Sequence, residues 1–172
     1  MKRDFIIPLN GLAQGRTEFH ARADKEFFEE FENRDILEAG VDVDIVVEKS
    51  GNYIGVDCTL DGAVTVMCDR CLENLVLPVR ESAFFSVKFG AEPSGGDSPE
   101  GGREIIFLPE SDAELDMSQI VYDYICLSLP MQRVHEEGEC DPDTVRFLSR
   151  DGGEDEPVSD NPFAGLKDLL KN

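Results

Sequence analysis

The sequence predicts an α+β fold in which an antiparallel β-meander forms a partly closed, barrel-like sheet with two or three helices packed on it. Apolar and polar residues alternate along residues 41–60, which is the pattern of half-buried strands. Turn-forming residues separate the alternating stretches at Ser50-Gly51-Asn52 and at Asp61-Gly62. An apolar stripe with helical spacing follows from Asp116 onwards.

Length and composition favour one medium-sized domain with tails. The chain has 172 residues, of which 41% are hydrophobic, and this is enough for a core. We expect a single β-rich domain over residues 1–150, interrupted by a mobile loop at about residues 90–103, where Gly, Pro, Ser and acidic residues predominate. Residues 151–172 are expected to form an acidic linker and a short amphipathic helix, which would dock on its own domain or in a partner's groove.

The expected location follows from three sequence features. No apolar run approaches the roughly 20 residues that span a bilayer, and residues 1–8 start basic but contain neither the apolar stretch nor the cleavage site of a signal peptide. Five cysteines, an odd number, argue against a closed disulfide framework and suit a reducing compartment. We therefore expect a cytoplasmic protein without membrane association.

Net charge limits the kinds of partner. At −21, with a pI near 4.2, the surface should repel phosphate backbones. Direct binding of bare RNA is therefore doubtful, and a basic protein partner or a small positive patch hidden in the total is favoured. The alternative is that the acidity serves solubility alone.

The N-terminal part is predicted to form short strands and one helix. Residues 5–9 and residues 16–22 suit two strands. A short helix follows, with Asp24 as its N-cap. Its apolar face, which is typical of core packing, consists of Phe27, Phe28 and Phe31.

The β-meander follows, with one apolar face. That face carries Val41, Val43, Ile45, Val47, Ile54, Val56, Cys58 and Leu60. Asp61-Gly62 predicts a hairpin turn into a strand at residues 62–67, and residues 73–81 and 84–89 continue the antiparallel sheet. Cys58 is expected to be a buried core thiol, and residues 104–108 to form a further strand.

The strongest helix signal begins at Asp116. Asp116 and Gln119 match a capping box, and the apolar stripe continues until Pro130 stops the helix. Cys126 lies on the less apolar side of this helix, and we interpret it as packing, not as a ligand. Asp141-Pro142 predicts the start of another short helix.

A Cys-x-x-Cys turn at Cys68 and Cys71 joins two predicted strands. Such a turn brings both sulfurs to one side, where they can hold a metal ion. His135 and Cys140 are the best candidates to complete a tetrahedral zinc site, which would be structural because it leaves no open coordination position. The alternative is that these are ordinary thiols beside a solvent-exposed histidine.

A redox reaction at Cys68 and Cys71 is a second alternative. Reactive pairs of this type begin a helix, whose dipole lowers the thiol pKa, whereas this pair joins strands and has Glu73 beside it. The sequence has no Gly-rich phosphate loop, no Gly-x-Ser-x-Gly and no His-Glu-x-x-His. We therefore expect a protein that is not an enzyme.

The order of these features resembles a known family. The meander ends in Val66-Met67-Cys68-Asp69-Arg70-Cys71-Leu72, a helix follows from Asp116, and residues 127–131 precede His135 and Cys140. Over roughly residues 1–150 the chain resembles the YceD family, the large ribosomal RNA subunit accumulation proteins. The resemblance implies a non-enzymatic, bacterial, cytoplasmic protein that is needed for normal levels of large-subunit ribosomal RNA.

One departure from the family affects the metal site. Many relatives carry a second Cys-x-x-Cys in the later segment, where this chain has only His135 and Cys140. A simple four-cysteine site is therefore excluded, while a site of mixed ligands is not.

Residues and resemblance together give the functional hypothesis. An acidic, β-rich adaptor would help 23S rRNA accumulate by holding a basic ribosomal protein or a pre-ribosomal large-subunit particle. The alternative is a zinc-stabilised binding module with an unrelated protein partner. Metal analysis and identification of the partner distinguish these possibilities.

Overall fold

The structure, a computed structural model, describes residues 3–90 and 102–149. In this part the chain begins with a 3-10 turn at Arg3–Phe5 and then forms seven strands and three α-helices. In chain order these are β1 (Ile6–Pro8), β2 (Gly15–Asp24), α1 (Lys25–Glu30), β3 (Ile36–Ser50), β4 (Tyr53–Met67), β5 (Asn74–Phe89), β6 (Glu104–Leu108), β7 (Glu114–Asp116), α2 (Ser118–Ser128) and α3 (Pro142–Ser149). Most of the predicted loop, residues 91–101, and the predicted linker and C-terminal helix lie outside the described residues.

The strands form one large sheet and one small one. The large sheet has the order β2-β3-β4-β5-β6, and the small sheet pairs β1 with β7. The predicted α+β class is confirmed, but in the described residues the sheet does not close into a barrel. The antiparallel pairing predicted for the meander is confirmed, and β2 to β5 are all antiparallel, whereas β6 pairs with β5 in parallel. Residues 90–103 separate these two strands, and a parallel pair requires a crossover of about that length.

The predicted alternation of the central strands is confirmed. On β3 the residues Val41, Val43, Ile45 and Val47 are buried, and on β4 the same holds for Ile54, Val56, Cys58 and Leu60. Helices α1 and α2 cover this face, and they bring Phe27, Phe28, Val121 and Ile125 into the core. Tyr124 of α2 meets Phe85 of β5 edge-on, with ring centroids 5.9 Å apart. The sheet and helices thus share one core.

The predicted hairpin at Asp61-Gly62 is wrong, because β4 runs without a break from Tyr53 to Met67. Gly62 pairs with Val41 of β3 and with Val79 of β5. A Cβ atom on Gly62 would lie 2.2 Å from the carbonyl oxygen of Gly40 and 2.7 Å from the Cα atom of Val41. The glycine is therefore required for the close approach of two strands, not for a turn.

The next strand is also longer than predicted. Residues 73–81 and 84–89, separate in the sequence prediction, belong to the single strand β5. Pro78 is tolerated inside it because β6 covers only Phe85–Phe89, so that β5 has one neighbouring strand at the proline. Strands β4 and β5 therefore form a long hairpin arm, paired along β4 with β3, that ends at the Cys-x-x-Cys turn.

The helix caps agree with the sequence at two of three positions. Asp24 accepts a hydrogen bond from the Phe27 N–H, and Asp141 accepts one from the Thr144 N–H. The predicted capping box at Asp116 is wrong, since its side chain accepts from the Ser118 N–H. Helix α2 begins at Ser118, and Gln119 donates to Asp123, one turn on. Asp116 therefore forms a local side-chain–backbone turn, and the two reciprocal hydrogen bonds of a capping box are not made at this helix start.

Replacement of Gly62 tests the close approach of β3 and β4. We expect Gly62→Ala to destabilise the protein by about 2–3 kcal/mol, because the added methyl group overlaps backbone atoms that cannot move independently. Gly40→Ala is the matched control, since its Cβ would meet only the end of the Arg22 side chain, which can move aside. Urea unfolding midpoints measure both effects. Equal midpoints for the two variants would show that the strands can separate at Gly62 without penalty.

Candidate metal centre

The Cys-x-x-Cys turn lies at the end of the arm formed by β4 and β5. The Cys68 N–H donates to the Glu73 carbonyl at 2.8 Å, and the Leu72 N–H donates to the Cys68 carbonyl at 2.9 Å. Leu72 has φ 63°, a left-handed conformation that is uncommon for a leucine. The Arg70 N–H points at the Cys68 sulfur, 3.5 Å away. The turn thus directs both a backbone donor and the sulfur of Cys71 towards Cys68.

A second segment, residues 133–140, is held against this turn by Asp69 and Arg133. The Asp69 N–H donates to the Arg133 carbonyl at 2.7 Å, and the Arg133 N–H donates to the Asp69 carboxylate at 2.7 Å. The Arg133 guanidinium also lies 3.6 Å from the Asp69 carboxylate and 3.7 Å from that of Asp35. We call this pair of residues the Asp69–Arg133 clamp. It fixes the start of the segment that carries His135 and Cys140.

The structure brings all four predicted ligands together. One ligand atom from each of Cys68, Cys71, His135 and Cys140 lies within 4.8 Å of the others. The Cys68 and Cys140 sulfurs are 3.9 Å apart, and His135 Nδ1 lies 3.4 Å from the Cys71 sulfur and 4.0 Å from that of Cys140. A tetrahedral zinc site has S–S edges of about 3.8 Å and S–N edges of about 3.5 Å, given its usual bond lengths. These four residues could therefore hold a metal ion with small side-chain movements.

The orientation of His135 suits a ligand role. Its Nε2 atom lies 3.1 Å from the Asn74 carbonyl oxygen at the start of β5. Because a carbonyl can only accept, Nε2 carries a proton, and Nδ1 is the ring nitrogen that faces the thiols. Metal-bound histidines are commonly oriented by such a hydrogen bond from the other ring nitrogen.

Burial and hydrogen bonding shift the pKa values of the cluster. Burial raises the pKa of Cys68, but hydrogen bonds to its sulfur, first from the backbone of Cys71 and Arg70, outweigh burial and lower the pKa to about 6. The hydrogen bond with Cys68 is the main cause of the raised pKa of His135, and burial is the main cause of the raised pKa of Cys140. The expectation that a strand-joining turn beside Glu73 disfavours a thiolate is therefore wrong for Cys68. Backbone donors stabilise the thiolate without a helix dipole.

The two remaining cysteines lie outside the cluster, as predicted. Cys58 is buried in the core on β4, and burial, followed by the nearby Asp44 charge, raises its pKa to about 12. Cys126 packs partly against the core and accepts a hydrogen bond from Asn33 at 3.8 Å. The described cysteines are free thiols. Both outlying cysteines therefore serve as internal controls for chemistry at the cluster.

The sequence pointed to the four residues that cluster, but not to Asp69, Arg133 and Asn74, which orient them. Asp69 lies between the two turn cysteines, and Arg133 lies two residues before His135. Their closest contacts, and that of Asn74, use backbone atoms. No side-chain motif reports such contacts. The proximity of Asp69 and Arg133 to predicted ligands is the only sequence signal that could have drawn attention to them.

Fold and site together define an α+β protein in which the turn between the long strands β4 and β5 carries two of the four residues of a Cys/His cluster. The family model described as "Large ribosomal RNA subunit accumulation protein YceD" matches residues 56–170. The chain belongs to this family. The match runs from β4 beyond α3 and includes all four residues of the cluster.

Two further comparisons and one structural finding complete the description. No curated protein matches the chain, and no solved structure matches it. Among residues 3–90 and 102–149, no helix is both long and apolar enough to cross a bilayer.

The Asp69–Arg133 clamp predicts that loss of the Asp69 side chain weakens metal binding more than loss of the Asp35 side chain does. We expect Asp69→Ala to weaken Zn²⁺ or Co²⁺ binding at least about tenfold, because Arg133 loses the carboxylate contacts that help to hold the segment carrying His135 and Cys140, and keeps the bond from the Asp69 N–H to its carbonyl. Asp35→Ala is the control, since Asp35 contacts the same guanidinium but is 75% exposed and bonds to no Arg133 backbone atom. Competition with a chromophoric chelator measures both affinities. If both variants bind as tightly as the wild type, the clamp does not position the ligands.

Proposed function

We propose that this protein is a non-enzymatic, cytoplasmic factor that supports accumulation and processing of 23S rRNA, and thereby large-subunit biogenesis, through a protein partner. Membership of the family described by large ribosomal RNA subunit accumulation is the observation that carries this proposal. The partner would be a basic ribosomal protein, alone or within a pre-ribosomal large-subunit particle. The metal centre and the distribution of charge support the role of an adaptor.

Zinc is the proposed occupant of the cluster. Three thiols and one imidazole suit Zn²⁺, and they fill a tetrahedral set without leaving a position for water or substrate. Three thiolates around Zn²⁺ leave one negative charge, and the Arg70 guanidinium lies 3.9 Å from the Cys140 sulfur, where it offsets that charge. A closed site of this kind stabilises structure and does not supply catalysis.

The structural effect of the metal follows from the separation of its ligands along the chain. Cys71 and His135 are 64 residues apart. A cross-link that closes a loop of this length restricts the unfolded chain and contributes about 4 kcal/mol in the loop-entropy model. The ion would therefore hold the segment that contains His135 and the following acidic residues against the sheet.

The acidic residues of the outer sheet face are largely paired with cations. Arg22 donates to Asp42 at 3.0 Å across β2 and β3, and Arg103 donates to Asp57 at 2.6 Å. Arg80 lies 3.4 Å from Asp61 across β4 and β5. The excess negative charge of the chain is therefore not concentrated on this face, which disfavours it as the surface for a basic partner.

The segment beside the metal centre suits a basic partner better. Glu136, Glu137 and Glu139 are exposed between two proposed ligands. Helix α3 follows them, and its Phe147 and Leu148 side chains are 72% and 59% exposed. Carboxylates next to exposed apolar groups offer both charge complementarity and apolar contact to a basic protein. We name residues 136–148 the acidic segment.

A second candidate function is a zinc-stabilised binding module with an unrelated partner. The same cluster and the same acidic segment favour it, and it differs only in the identity of the bound protein. It predicts normal levels of large-subunit rRNA when the protein is absent.

Metal content tests the proposed zinc site. We expect one Zn²⁺ per purified chain by elemental mass spectrometry, and loss of the metal with a lower unfolding temperature in Cys71→Ser, because three ligands hold zinc far more weakly. Cys126→Ser should retain the metal, since Cys126 lies outside the cluster. A metal-free wild type with an unchanged unfolding temperature after chelation would contradict the zinc proposal.

Depletion of the protein tests the proposed role. We expect a lower ratio of mature 23S to 16S rRNA in depleted cells, with restoration by the wild type and by Cys126→Ser but not by Cys68→Ser. Quantitative gel or capillary electrophoresis of total RNA measures this ratio. An unchanged ratio would contradict the role in rRNA accumulation and favour the unrelated binding module.

Charge reversal tests the acidic segment. We expect Glu136→Lys/Glu139→Lys to weaken capture of large-subunit proteins or precursors from lysate about tenfold or more, because a basic partner loses two attractive charges and meets two repulsive ones. Glu29→Lys/Glu110→Lys changes the net charge equally at exposed positions elsewhere and is the control. Quantitative mass spectrometry of the captured proteins is the readout. Equal losses in both variants would show that net charge, and not this segment, attracts the partner.

A further inference from the structure

Strand β2 forms an open edge of the large sheet. It has 10 residues, whereas β6 at the opposite edge has 5. Within residues 3–90 and 102–149, no backbone hydrogen bond joins residues 15–23 to any element other than β3. The N–H and C=O groups of alternate residues therefore point away from β3, where they can pair with a further strand.

The edge strand differs in charge from the rest of the chain. The chain carries a net charge of −21, whereas β2 contains two arginines and two acidic residues and is neutral. The polar side chains on its outer face, each with more than half of its surface exposed, are Arg16, Glu18, His20 and Arg22. On the neighbouring strand, Asp44 and Asp42 contact His20 and Arg22. Two copies can therefore approach along this edge without a local excess of like charge.

The order of these side chains is complementary to a second, antiparallel copy of the same strand. A two-fold axis perpendicular to the sheet places one residue opposite itself and keeps the inner faces of both copies on the same side. With the axis at His20, pairing covers residues 16–24, and each Glu18 lies opposite Arg22 of the second copy. Glu18 also lies 3.1 Å from Arg16 on its own strand, and its carboxylate can accept from both arginines.

The inner face is complementary in the same register. Phe19 lies opposite Ala21 of the second copy, so that a large side chain meets a small one, and the symmetry gives two such contacts. Both residues are half-buried and pack against the core of their own protomer. Association would therefore extend the core across the interface.

Other registers of the same strand are less favourable. Four of them oppose like charges, and the opposed residues are Glu18–Glu18, Arg16–Arg22, Glu18–Asp24 and Arg22–Arg22 for axes at residues 18, 19, 21 and 22. An axis at residue 17 pairs only residues 15–19. Like charges directly opposite each other destabilise a strand pair, so the charge pattern selects the register centred on His20.

We propose that a second copy of this chain pairs with β2, antiparallel and centred on His20, so that two five-stranded sheets join into one continuous sheet. Backbone hydrogen bonds along the edge supply the pairing, and the two Glu18–Arg22 contacts fix its register. This dimer goes beyond the proposed role in rRNA accumulation, and it requires no metal ion.

Sedimentation equilibrium of the full-length protein at micromolar concentrations tests the dimer. We expect Glu18→Arg to weaken dimerisation about tenfold or more, because two attractive pairs become two contacts between like charges. The double variant Glu18→Arg/Arg22→Glu exchanges the two charges and should restore the affinity to within about threefold of the wild type. Glu110→Arg makes the same change in net charge as Glu18→Arg at an exposed position outside β2, and it should dimerise as the wild type does.

Hydrogen–deuterium exchange locates the interface. The amides of residues 16–22 should become more protected as the protein concentration rises, whereas those of β6 should not change. A protein that stays monomeric at high micromolar concentration would overturn the proposal, as would a dimer that Glu18→Arg leaves intact. Protection of residues 16–22 only in the presence of captured ribosomal proteins would assign this edge to a different partner and would also overturn self-pairing. The exchange pattern of the wild type decides the point even where a variant does not fold.

Discussion

The Asp69–Arg133 clamp is the interaction on which the candidate metal centre depends. Two hydrogen bonds of 2.7 Å, one between backbone groups and one from the Arg133 N–H to the Asp69 carboxylate, join residues that are 64 positions apart, and they place the segment carrying His135 and Cys140 over the Cys-x-x-Cys turn. Without the clamp, the contact of His135 with the Asn74 carbonyl would have to hold this segment. The clamp thus brings the four candidate ligands together, which would reduce the ordering that metal binding must impose.

The clamp in turn requires a rigid arm, which the long strands β4 and β5 provide. These strands are paired from Ile54 with Val87 to Met67 with Asn74, and the turn cysteines follow directly. Gly62 allows β3 to approach β4 closely near the middle of the arm, since any side chain there would overlap the Gly40 carbonyl. Leu72 adopts a left-handed conformation at the end of the arm, and the pairing on both sides holds it there.

The sequence allowed the clustering of four residues to be predicted more accurately than the limits of the strands. Cys68, Cys71, His135 and Cys140 were recognisable because thiol and imidazole side chains are few in this chain. The prediction of a hairpin at Asp61-Gly62 was wrong because it gave the local turn signal more weight than the alternation of apolar residues on both sides of it. The alternation of Leu60, Val64 and Val66 continues in phase across Gly62, as one uninterrupted strand requires. The parallel pairing of β6 and the backbone bond of the clamp are tertiary contacts that do not depend on residue type, and the pairing of Asp69 with Arg133 joins residues 64 positions apart.

The distribution of charge, like the strand pairing, depends on tertiary contacts that the sequence does not show. A net charge of −21 describes the whole chain, but the sheet residues Asp42, Asp57 and Asp61 each have a cation within 3.4 Å. Such pairs neutralise much of one surface, whereas the acidic segment, which starts directly after His135 and extends into α3, carries exposed carboxylates. That segment contains Cys140 and adjoins His135, so its position depends on what joins these residues to Cys68 and Cys71. A metal ion bound at the cluster would therefore fix how the acidic segment is presented, without any change in the sheet.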